Sequence, residues 1–184
     1  MEEIRFHGRG GQGTVLASIS LAKAFFDSGY HVQTFPVFGV ERRGAPVEAY
    51  LRIDDAKKIL NKSNVYTPDH IVVMDSKLLG SIDVTKGLKK GGWILINAPE
   101  LPKDLSRFKD YKIALIDASK IALKHGLGTK TGPIINTAML GAFSKVMNNP
   151  NIKFIEKAIL DEVPVKRKEN VQAARDAFKK VVFD

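Results

Sequence analysis

The sequence predicts an α/β fold: a Rossmann-like, open and mostly parallel sheet flanked by helices, with an antiparallel strand at one edge and a helical C-terminus. Three observations support this class. The chain has 184 residues, 44% hydrophobic and 27% charged, which is a globular composition with room for one sizeable core. A glycine-rich turn separates a short strand from an Ala-rich helix, and aliphatic runs that end in polar residues recur along the chain. We therefore expect residues 1–184 to form a single domain.

The first elements form a βαβ unit. Residues 4–7 are the first strand, and the spacing of apolar side chains over residues 14–28 predicts a helix that ends at Gly29. Residues 30–35 form the second strand, and the crossover between the two strands is expected to be right-handed. After a connection rich in Pro and Gly, residues 47–53 alternate apolar and polar side chains, which predicts a half-buried antiparallel strand at an edge of the sheet.

Three nearly continuous aliphatic runs follow, as expected for parallel strands that are covered on both faces. A lysine-rich piece, helical or irregular, precedes them. The runs lie at residues 70–74, 93–96 and 111–116, and they are followed directly by Asp75, Asn97 and Asp117. Ligands of open α/β sheets gather outside the carboxyl ends of the strands, so these polar residues indicate a site there. Further helices are predicted at residues 120–124, 136–147, 153–163 and 169–182.

The net charge of +9 and the pI of about 9.7 raise the question of a nucleic-acid partner. However, most of the lysines lie near acidic residues, and aromatic residues make up only 8% of the chain, so no stacking platform for single strands is visible. A solvated, lysine-rich surface is the simpler interpretation, and we expect no nucleic-acid partner. A positive surface that faces an acidic subunit or a polyanionic cofactor is the alternative that stays open.

The chain contains no cysteine, which excludes disulfides, thiolate metal ligands, iron–sulfur ligation and a cysteine nucleophile. No uninterrupted apolar run approaches the roughly 18–20 residues of a membrane helix, and the acidic start lacks the apolar core of a secretory signal. We therefore expect a soluble, cytoplasmic protein with no membrane contact.

The segment Gly8-Arg9-Gly10-Gly11-Gln12-Gly13 contains the GxGxxG pattern of dinucleotide-binding turns. It lies directly after a strand and before a helix, where free backbone amides bind anions. The glycines allow a tight turn, a close approach of the backbone to a phosphate, and close packing of helix and strand. Arg9 adds a charge that suits a phosphate. The alternative is a turn that only permits a tight connection, or that makes room for the backbone of another subunit.

Arg42 and Arg43 form the second candidate site. These adjacent arginines lie in the Pro- and Gly-rich connection on the ligand side of the second strand, where a guanidinium fork suits phosphate or carboxylate. A solvated pair, with Glu41 neutralising one charge, is the alternative. The candidate cofactor-binding residues are thus Gly8, Arg9, Gly10, Gly11, Gln12, Gly13, Arg42 and Arg43.

No complete active site is visible in the sequence. The four histidines are scattered, no serine lies in a GxSxG elbow, and no HExxH motif or carboxylate cluster indicates a metal. A nicotinamide-dependent enzyme should have an acid near the end of the second strand to hold the ribose, yet residues 32–36 contain none. We therefore predict a binding domain with no catalytic residue and no metal ligand of its own.

Several motifs resemble those of the gamma subunit of pyruvate:ferredoxin oxidoreductases and related 2-oxoacid enzymes. The GRGGQG turn that opens the domain, the pair Arg43-Gly44 in the following loop, and Asp75 after the middle strand carry the resemblance. Two later segments, residues 136–142 and 169–174, look like the C-terminal helices of that family. The resemblance covers nearly the whole chain.

The resemblance implies a role within a multi-subunit enzyme and an inactive isolated chain. Such a complex decarboxylates a 2-oxoacid, most commonly pyruvate, transfers the acyl group to coenzyme A and passes two electrons to ferredoxin. Thiamine diphosphate and the iron–sulfur clusters are implied on partner chains, which are the alpha, beta and delta subunits. This chain is implied to pack against the thiamine-bearing subunits and to help position coenzyme A.

Two other functions stay open at this point: a stand-alone NAD(P)-dependent oxidoreductase and a basic nucleic-acid-binding protein. The gamma-subunit hypothesis predicts an exposed apolar patch that other chains cover, and Phe35, Phe38 and Val40 around the Pro- and Gly-rich loop are the candidates. It also predicts that the glycine-rich turn and the arginine pair lie along one groove.

Overall fold

The computed structural model describes residues 1–37, 44–100 and 106–184. Its strands are β1 (Glu2–Arg9), β2 (His31–Val37), β3 (Pro46–Asp54), β4 (His70–Val73), β5 (Trp93–Asn97), β6 (Lys112–Ile116), β7 (Gly128–Thr129), β8 (Gly132–Pro133) and β9 (Val182–Phe183). Its helices are α1 (Thr14–Asp27), α2 (Ala118–Lys124), α3 (Asn136–Met147), α4 (Ile152–Glu162) and α5 (Arg167–Lys180), with 3-10 helices at Ser76–Gly80 and Ser106–Phe108. Seven strands form one sheet in the order β2-β3-β1-β4-β5-β6-β9, and β7 and β8 form a small hairpin apart from it. The predicted α/β class with a mostly parallel sheet is confirmed.

The strand β3 lies between β1 and β2 and is antiparallel to both. Its antiparallel direction was predicted correctly, and the sheet does have an antiparallel edge. However, β2 and not β3 is the strand at that edge, and residues 49–53 of β3 are buried on both faces rather than half-buried. β1 and β2 still run in the same direction, as the βαβ pattern predicted. Packing accounts for the insertion: Ile4 faces Leu51 across the β1–β3 pair, and Phe6 with Ala49 continues the same buried row.

The strands β4, β5 and β6 extend the sheet from β1 in parallel. Their side chains are buried on both faces, as their aliphatic sequences predicted. Val72 and Leu95 join the core under the helices, whereas Val73 and Ile96 join a second core on the other face.

The two faces of the sheet are covered differently. Buried residues from all five helices belong to a single core with one face of the sheet. The opposite face is covered by the 3-10 helices and by irregular segments, through residues such as Leu79, Val84 and Phe108. Within the described parts of the chain, no helix has the length and apolar character needed to cross a bilayer.

Small residues allow α3 and α5 to cross closely. Gly141 of α3 lies against the backbone of Ala174 in α5, and a Cβ on Gly141 would overlap the Ala174 carbonyl group. Ala173 and Ala177, on the same helix as Ala174, are fully buried. The two segments that resemble the family's C-terminal helices thus pack directly on each other.

The C-terminus departs from the predicted helix over residues 169–182. The helix α5 ends at Lys180, and β9 adds a short antiparallel edge strand to β6. The ring of Phe183 meets Trp93 edge to face, with 5.6 Å between the ring centroids. Pairing with β6 and the Trp93 ring decide the conformation here, and neither is visible in the local sequence.

The lysine-rich segment after β3 is irregular, and a buried arginine holds it. Arg52 lies fully buried on the sheet face opposite the helices, and its Nε donates to Glu3 Oε1 at 2.7 Å. Its two Nη atoms donate to the carbonyl oxygens of residues 61, 63 and 64, and Nη1 also donates to Gln33 Oε1. One side chain therefore fixes a segment that has no regular secondary structure of its own.

Candidate functional site

The carboxyl edge of the parallel strands opens into a cleft of about 1460 Å³. The glycine turn (residues 8–13), the starts of α1 and α3, and the β7–β8 hairpin surround it. Asp75, Asn97 and Asp117 all line it, as expected from their positions at or within two residues of the ends of β4, β5 and β6. The polar residues that the sequence placed at three strand ends therefore do meet at one site.

The glycine turn requires glycine for two separate reasons. Gly11 and Gly13 have φ angles of 92° and 76°, in the left-handed region that favours glycine. Gly8 instead lies against the start of α1, where a Cβ would overlap the hydroxyl of Thr14. A Cβ on Gly13 would also come within 3.2 Å of Asn136 Nδ2. The turn thus brings the starts of α1 and α3 together.

Asp75 fastens the glycine turn to the end of β4. Its Oδ2 accepts from Arg9 Nε at 2.9 Å and from Gln12 Nε2 at 3.1 Å, and its Oδ1 accepts from the amide of Lys77 at 2.9 Å. Within the turn, Gln12 Oε1 accepts from the amide of Arg9 at 2.9 Å. The charge of Arg9 is therefore paired with a carboxylate, and its main structural effect is to hold the turn in shape.

Asn97 connects three elements at the floor of the cleft. Its Nδ2 donates to the carbonyl oxygen of Met74 at 3.0 Å and to Ser119 Oγ at 3.2 Å. Its Oδ1 accepts from the amide of Ala118 at 3.0 Å. Asn97 is thus a positioning residue, which fixes the start of α2 relative to β4 and β5.

Unpaired polar groups lie at the start of α1. The amide of Ala17 donates to the Gly13 carbonyl oxygen at 2.8 Å, so the amides of residues 14–16 have no partner within the helix. Within residues 1–37, 44–100 and 106–184, no side chain caps this end of α1. The hydroxyl of Thr14 is buried, and it has no hydrogen-bond partner among the described residues. Free amides, a buried hydroxyl and the positive end of a helix dipole together suit the oxygen atoms of an anion.

Two lysines and an apolar rim complete the cleft. Lys77, on the 3-10 helix after β4, and Lys130, in the β7–β8 hairpin, both line it. Leu16, Leu123 and Ile134 also line it and are exposed. A ligand that carries phosphate groups and a long uncharged arm would find partners for both parts here.

Arg42 and Arg43 lie outside the described residues, so their place beside the glycine turn stays a prediction. The residues that follow them are described. The amide of Gly44 donates to the Gly10 carbonyl oxygen at 3.2 Å, and the amide of Gly10 donates to the Ala45 carbonyl oxygen at 2.9 Å. The end of the connection from β2 to β3 therefore lies against the glycine turn.

A buried histidine lies directly before the glycine turn. Nε2 of His7 accepts from Arg5 Nε at 3.0 Å, which leaves Nδ1 to carry the proton of the neutral ring. Nδ1 faces Glu48 Oε1 at 3.4 Å, and Glu48 also accepts from the hydroxyl of Tyr50 at 2.7 Å. Burial lowers the pKa of His7 to about 4, although Glu48 opposes the shift. The sequence did not reveal this cluster, because Glu48 and His7 meet only through the β1–β3 register.

The lowered pKa of His7 predicts a fold that is sensitive to acid. The pKa is about 6.5 in the unfolded chain and about 4 in the folded one, so the unfolded state takes up the proton first as the pH falls. The free energy of unfolding therefore falls by about 3 kcal/mol as the pH falls from 6.5 to 4, and above pH 6.5 the full stability is present. Urea denaturation at pH 7.5 and 4.5 should show a smaller loss of stability for His7→Gln than for the wild type. Equal losses in the two proteins would contradict the assignment.

The fold and the cleft define an α/β binding domain, and the comparisons with known proteins narrow this class. The chain matches the family described as "Pyruvate ferredoxin/flavodoxin oxidoreductase" over residues 3–180. It is 49% identical over 186 residues to the "Pyruvate/ketoisovalerate oxidoreductases common subunit gamma" of Thermococcus litoralis, covering 99% of this chain and 98% of the relative. The chain therefore belongs to the pyruvate ferredoxin/flavodoxin oxidoreductase family, among its gamma subunits, and the resemblance seen in the sequence is confirmed.

Solved structures show the same fold. The crystal structure of "pyruvate oxidoreductase subunit PORC (EC 1.2.7.1)" from Thermotoga maritima matches with a TM-score of 0.82 and 35% identity, covering 100% of this chain and 98% of that one. The "2-oxoglutarate:ferredoxin oxidoreductase from Magnetococcus marinus with 2-oxoglutarate, coenzyme A and succinyl-CoA bound" matches with a TM-score of 0.74 and 21% identity. That match covers 97% of this chain and 30% of the other chain, so the fold recurs there as one part of a longer polypeptide.

Proposed function

We propose that this chain, as one domain over residues 1–184, is the gamma subunit of a cytoplasmic pyruvate (2-oxoacid):ferredoxin oxidoreductase. In the reaction of the complex, the bond between the carboxylate and the carbonyl carbon of pyruvate breaks and a carbon–sulfur bond to coenzyme A forms. The products are acetyl-CoA, CO₂, one proton and two electrons, and ferredoxin accepts the electrons. The alpha, beta and delta subunits are the proposed partners.

The relatives support this assignment, and we propose that other chains choose the 2-oxoacid. The Thermococcus litoralis relative is named as common to the pyruvate and ketoisovalerate oxidoreductases, and the Thermotoga maritima structure is named as a pyruvate oxidoreductase subunit. A gamma subunit that serves two substrates does not itself select between them. We therefore propose pyruvate as the substrate of the whole complex and assign no part of its selection to this chain.

The composition of the chain supports a division of labour. With no cysteine, the chain has no thiolate to ligate an iron–sulfur cluster, so we assign the clusters to partner chains. When bound on a partner chain, thiamine diphosphate supplies the electron sink for the loss of CO₂. The contribution of this chain is then binding and orientation, not bond breaking.

The start of α1 is the observation that carries the proposed ligand role. Coenzyme A has a diphosphate, a 3′-phosphate and a long uncharged arm. We propose that the glycine turn, the amides of residues 14–16 and the buried Thr14 hydroxyl hold its phosphate oxygens, with Lys77 and Lys130 supplying charge. Arg42 and Arg43 are proposed to add to this site from the neighbouring connection. Held in this way, the arm would extend along the apolar rim toward a partner chain.

The order of the strands supports this proposal over a nicotinamide-dependent enzyme. In such enzymes the acid that holds the ribose ends the strand next to the glycine turn. Here β3 separates β2 from β1, so the end of β2 is two strands away from the turn, about 10 Å.

Affinity purification of the tagged chain from its native cells tests the assembly. We expect it to recover chains that contain thiamine diphosphate and iron–sulfur clusters, together with ferredoxin reduction that depends on both pyruvate and coenzyme A. A chain that purifies alone, or that oxidises a 2-oxoacid or reduces NAD(P) unaided, would overturn the assignment.

Titration with coenzyme A tests the ligand role through Thr14. The isosteric change Thr14→Val removes a hydroxyl that has no partner among the described residues, so we expect unchanged stability and about tenfold weaker binding, the effect of one hydrogen bond to a charged group. The matched control Thr67→Val lies on the surface outside the cleft and should bind like the wild type. Titration calorimetry on the isolated chain measures the affinity of each variant for coenzyme A. Equal affinity of Thr14→Val and wild type, or no binding at millimolar coenzyme A, would leave the cleft as a contact for a partner chain only.

A further inference from the structure

The helix α1 is unusually rich in apolar residues. Its fourteen residues, TVLASISLAKAFFD, include only two charged side chains, Lys23 and Asp27. A helix with this composition is normally buried on all sides. In this chain α1 packs on the sheet and on α4, yet one side of it faces solvent.

The exposed side carries three large apolar residues in one row. Leu16 is 59% exposed, Ile19 is 39% exposed and Phe26 is 64% exposed. Their spacing of three and seven residues places them on one face of α1, along three turns of helix. We name this row the α1 stripe. Single exposed apolar residues are ordinary, but a row of three on one helix indicates an interaction surface.

One charged residue, Lys23, lies on the same face as the α1 stripe, four residues after Ile19 and three before Phe26, and it is paired with nearby carboxylates. Lys23 Nζ lies 3.3 Å from Asp27 and 3.5 Å from Asp161. Lys157 bonds to both of these carboxylates, which lowers the pKa of Asp27. A neighbour that covers the stripe therefore leaves no isolated charge in an apolar contact. This surface fits an apolar, weakly charged partner face.

The α1 stripe continues into the mouth of the cleft. Leu16, at one end of the stripe, also lines the cleft. Leu123 and Ile134, which are exposed as well, line the same cleft. A chain that lies on the stripe therefore also lies over the opening of the proposed coenzyme A site.

From this continuity we infer that the α1 stripe is the surface that binds the partner subunit that carries out the 2-oxoacid chemistry. The inference rests on the proposed function, in which coenzyme A leaves the cleft toward the chain that holds the acyl group. The partner presents an apolar face to Ile19 and Phe26, and it closes the mouth of the cleft at Leu16. Coenzyme A is then held between two chains, with its thiol directed to the partner.

This surface differs from the patch suggested by the sequence. Of the three residues named there, Phe38 and Val40 lie outside the described residues. Phe35 is half-buried, packs edge to face on Tyr50 with 5.3 Å between centroids, and lies under the guanidinium of Arg52. Phe35 is therefore part of the fold rather than a free contact.

Charge substitutions on the stripe test the inference in the assembled enzyme. Ile19→Glu and Phe26→Glu are exposed, so each should leave the melting temperature of the isolated chain unchanged. Each should reduce the recovery of partner chains with the tagged subunit at least tenfold. The matched control Leu60→Glu changes a leucine that is 84% exposed in the irregular segment after β3, on the sheet face opposite the helices, and it should recover the complex like the wild type.

The absence of cysteine allows a second test that does not depend on charge. The variants F26C and L60C each place one thiol in the chain, so labelling with a maleimide reports on a single position. In the isolated chain both thiols should react quickly. In the purified complex, labelling of F26C should slow at least tenfold, whereas L60C should keep its rate.

Two results would overturn the inference. In the first, Phe26→Glu recovers the complex like the wild type and F26C stays reactive within it. In the second, the isolated wild-type chain forms a dimer that Phe26→Glu converts to a monomer while the full complex still assembles, which would assign the stripe to a second copy of this chain. Failure of the proposed function itself looks different, because the wild-type chain would then recover no partner at all.

Discussion

Replacing Gly141 by alanine is expected to destabilise the protein by about 3 kcal/mol, through overpacking of a rigid contact. A Cβ at this position would overlap the carbonyl group of Ala174, and backbone atoms in the middle of α5 cannot move aside as a side chain can. Alanine is the better helix former by about 1 kcal/mol, and this gain offsets only part of the loss. The midpoint of urea denaturation measures the effect.

Gly80→Ala is the matched control for this substitution. Gly80 ends a 3-10 helix, and no atom of the described parts of the chain lies within 4 Å of the position that its Cβ would take. The free energy of unfolding of Gly80→Ala should stay within about 0.5 kcal/mol of the wild-type value. If Gly141→Ala is as stable as Gly80→Ala, then Gly141 of α3 does not lie against the backbone of Ala174 in α5.

Replacing Arg52 by methionine is expected to lower the free energy of unfolding by about 3–5 kcal/mol, the range for removing one partner of a buried ion pair. The substitution keeps the apolar stem but leaves Glu3 without its partner. It also removes the donors to the carbonyl oxygens of residues 61, 63 and 64. Hydrogen exchange should therefore accelerate first in the irregular segment after β3, and denaturation should show the global loss.

Two further variants separate charge from geometry at Arg52. Arg52→Lys keeps the charge but lacks the planar guanidinium, so its stability should lie between that of the wild type and that of Arg52→Met. Arg175→Met breaks a two-point pair with Glu156 on the surface, where the expected loss is at most about 1 kcal/mol. Equal stability of Arg52→Met and Arg175→Met would show that the buried network does not hold this part of the fold.

Local sequence was sufficient to predict the elements that build the cleft. The glycine turn is recognisable because a strand, six turn residues and an apolar helix follow one another without interruption. The polar residues Asp75, Asn97 and Asp117 are recognisable because each follows or ends an aliphatic run, and parallel strands bring their carboxyl ends to one edge. Both signals are contained in short segments of the chain.

Features that depend on partners distant in sequence were not predictable in this way. The place of β3 between β1 and β2 depends on which strands pair, and the alternation of residues 47–53 only indicates that one face is buried. The pairing of Arg9 with Asp75 joins residues 66 positions apart, so the sequence indicated a charge that suits a phosphate but not the carboxylate that holds it. Apolar periodicity likewise identified α1 as a helix but could not tell which of its sides is left uncovered.

The place of β3 has a consequence for the order in which this protein is made. Both hydrogen-bonded neighbours of β1 lie later in the chain, since β3 is complete only at residue 54 and β4 only at residue 73. A nascent polypeptide that ends at Val37 has made β1, α1 and β2, yet it contains no two strands that pair with each other in the finished sheet. Synthesis must therefore pass the β2–β3 connection before any part of the sheet can close, and β1 waits longer than any other strand of the sheet for its first partner.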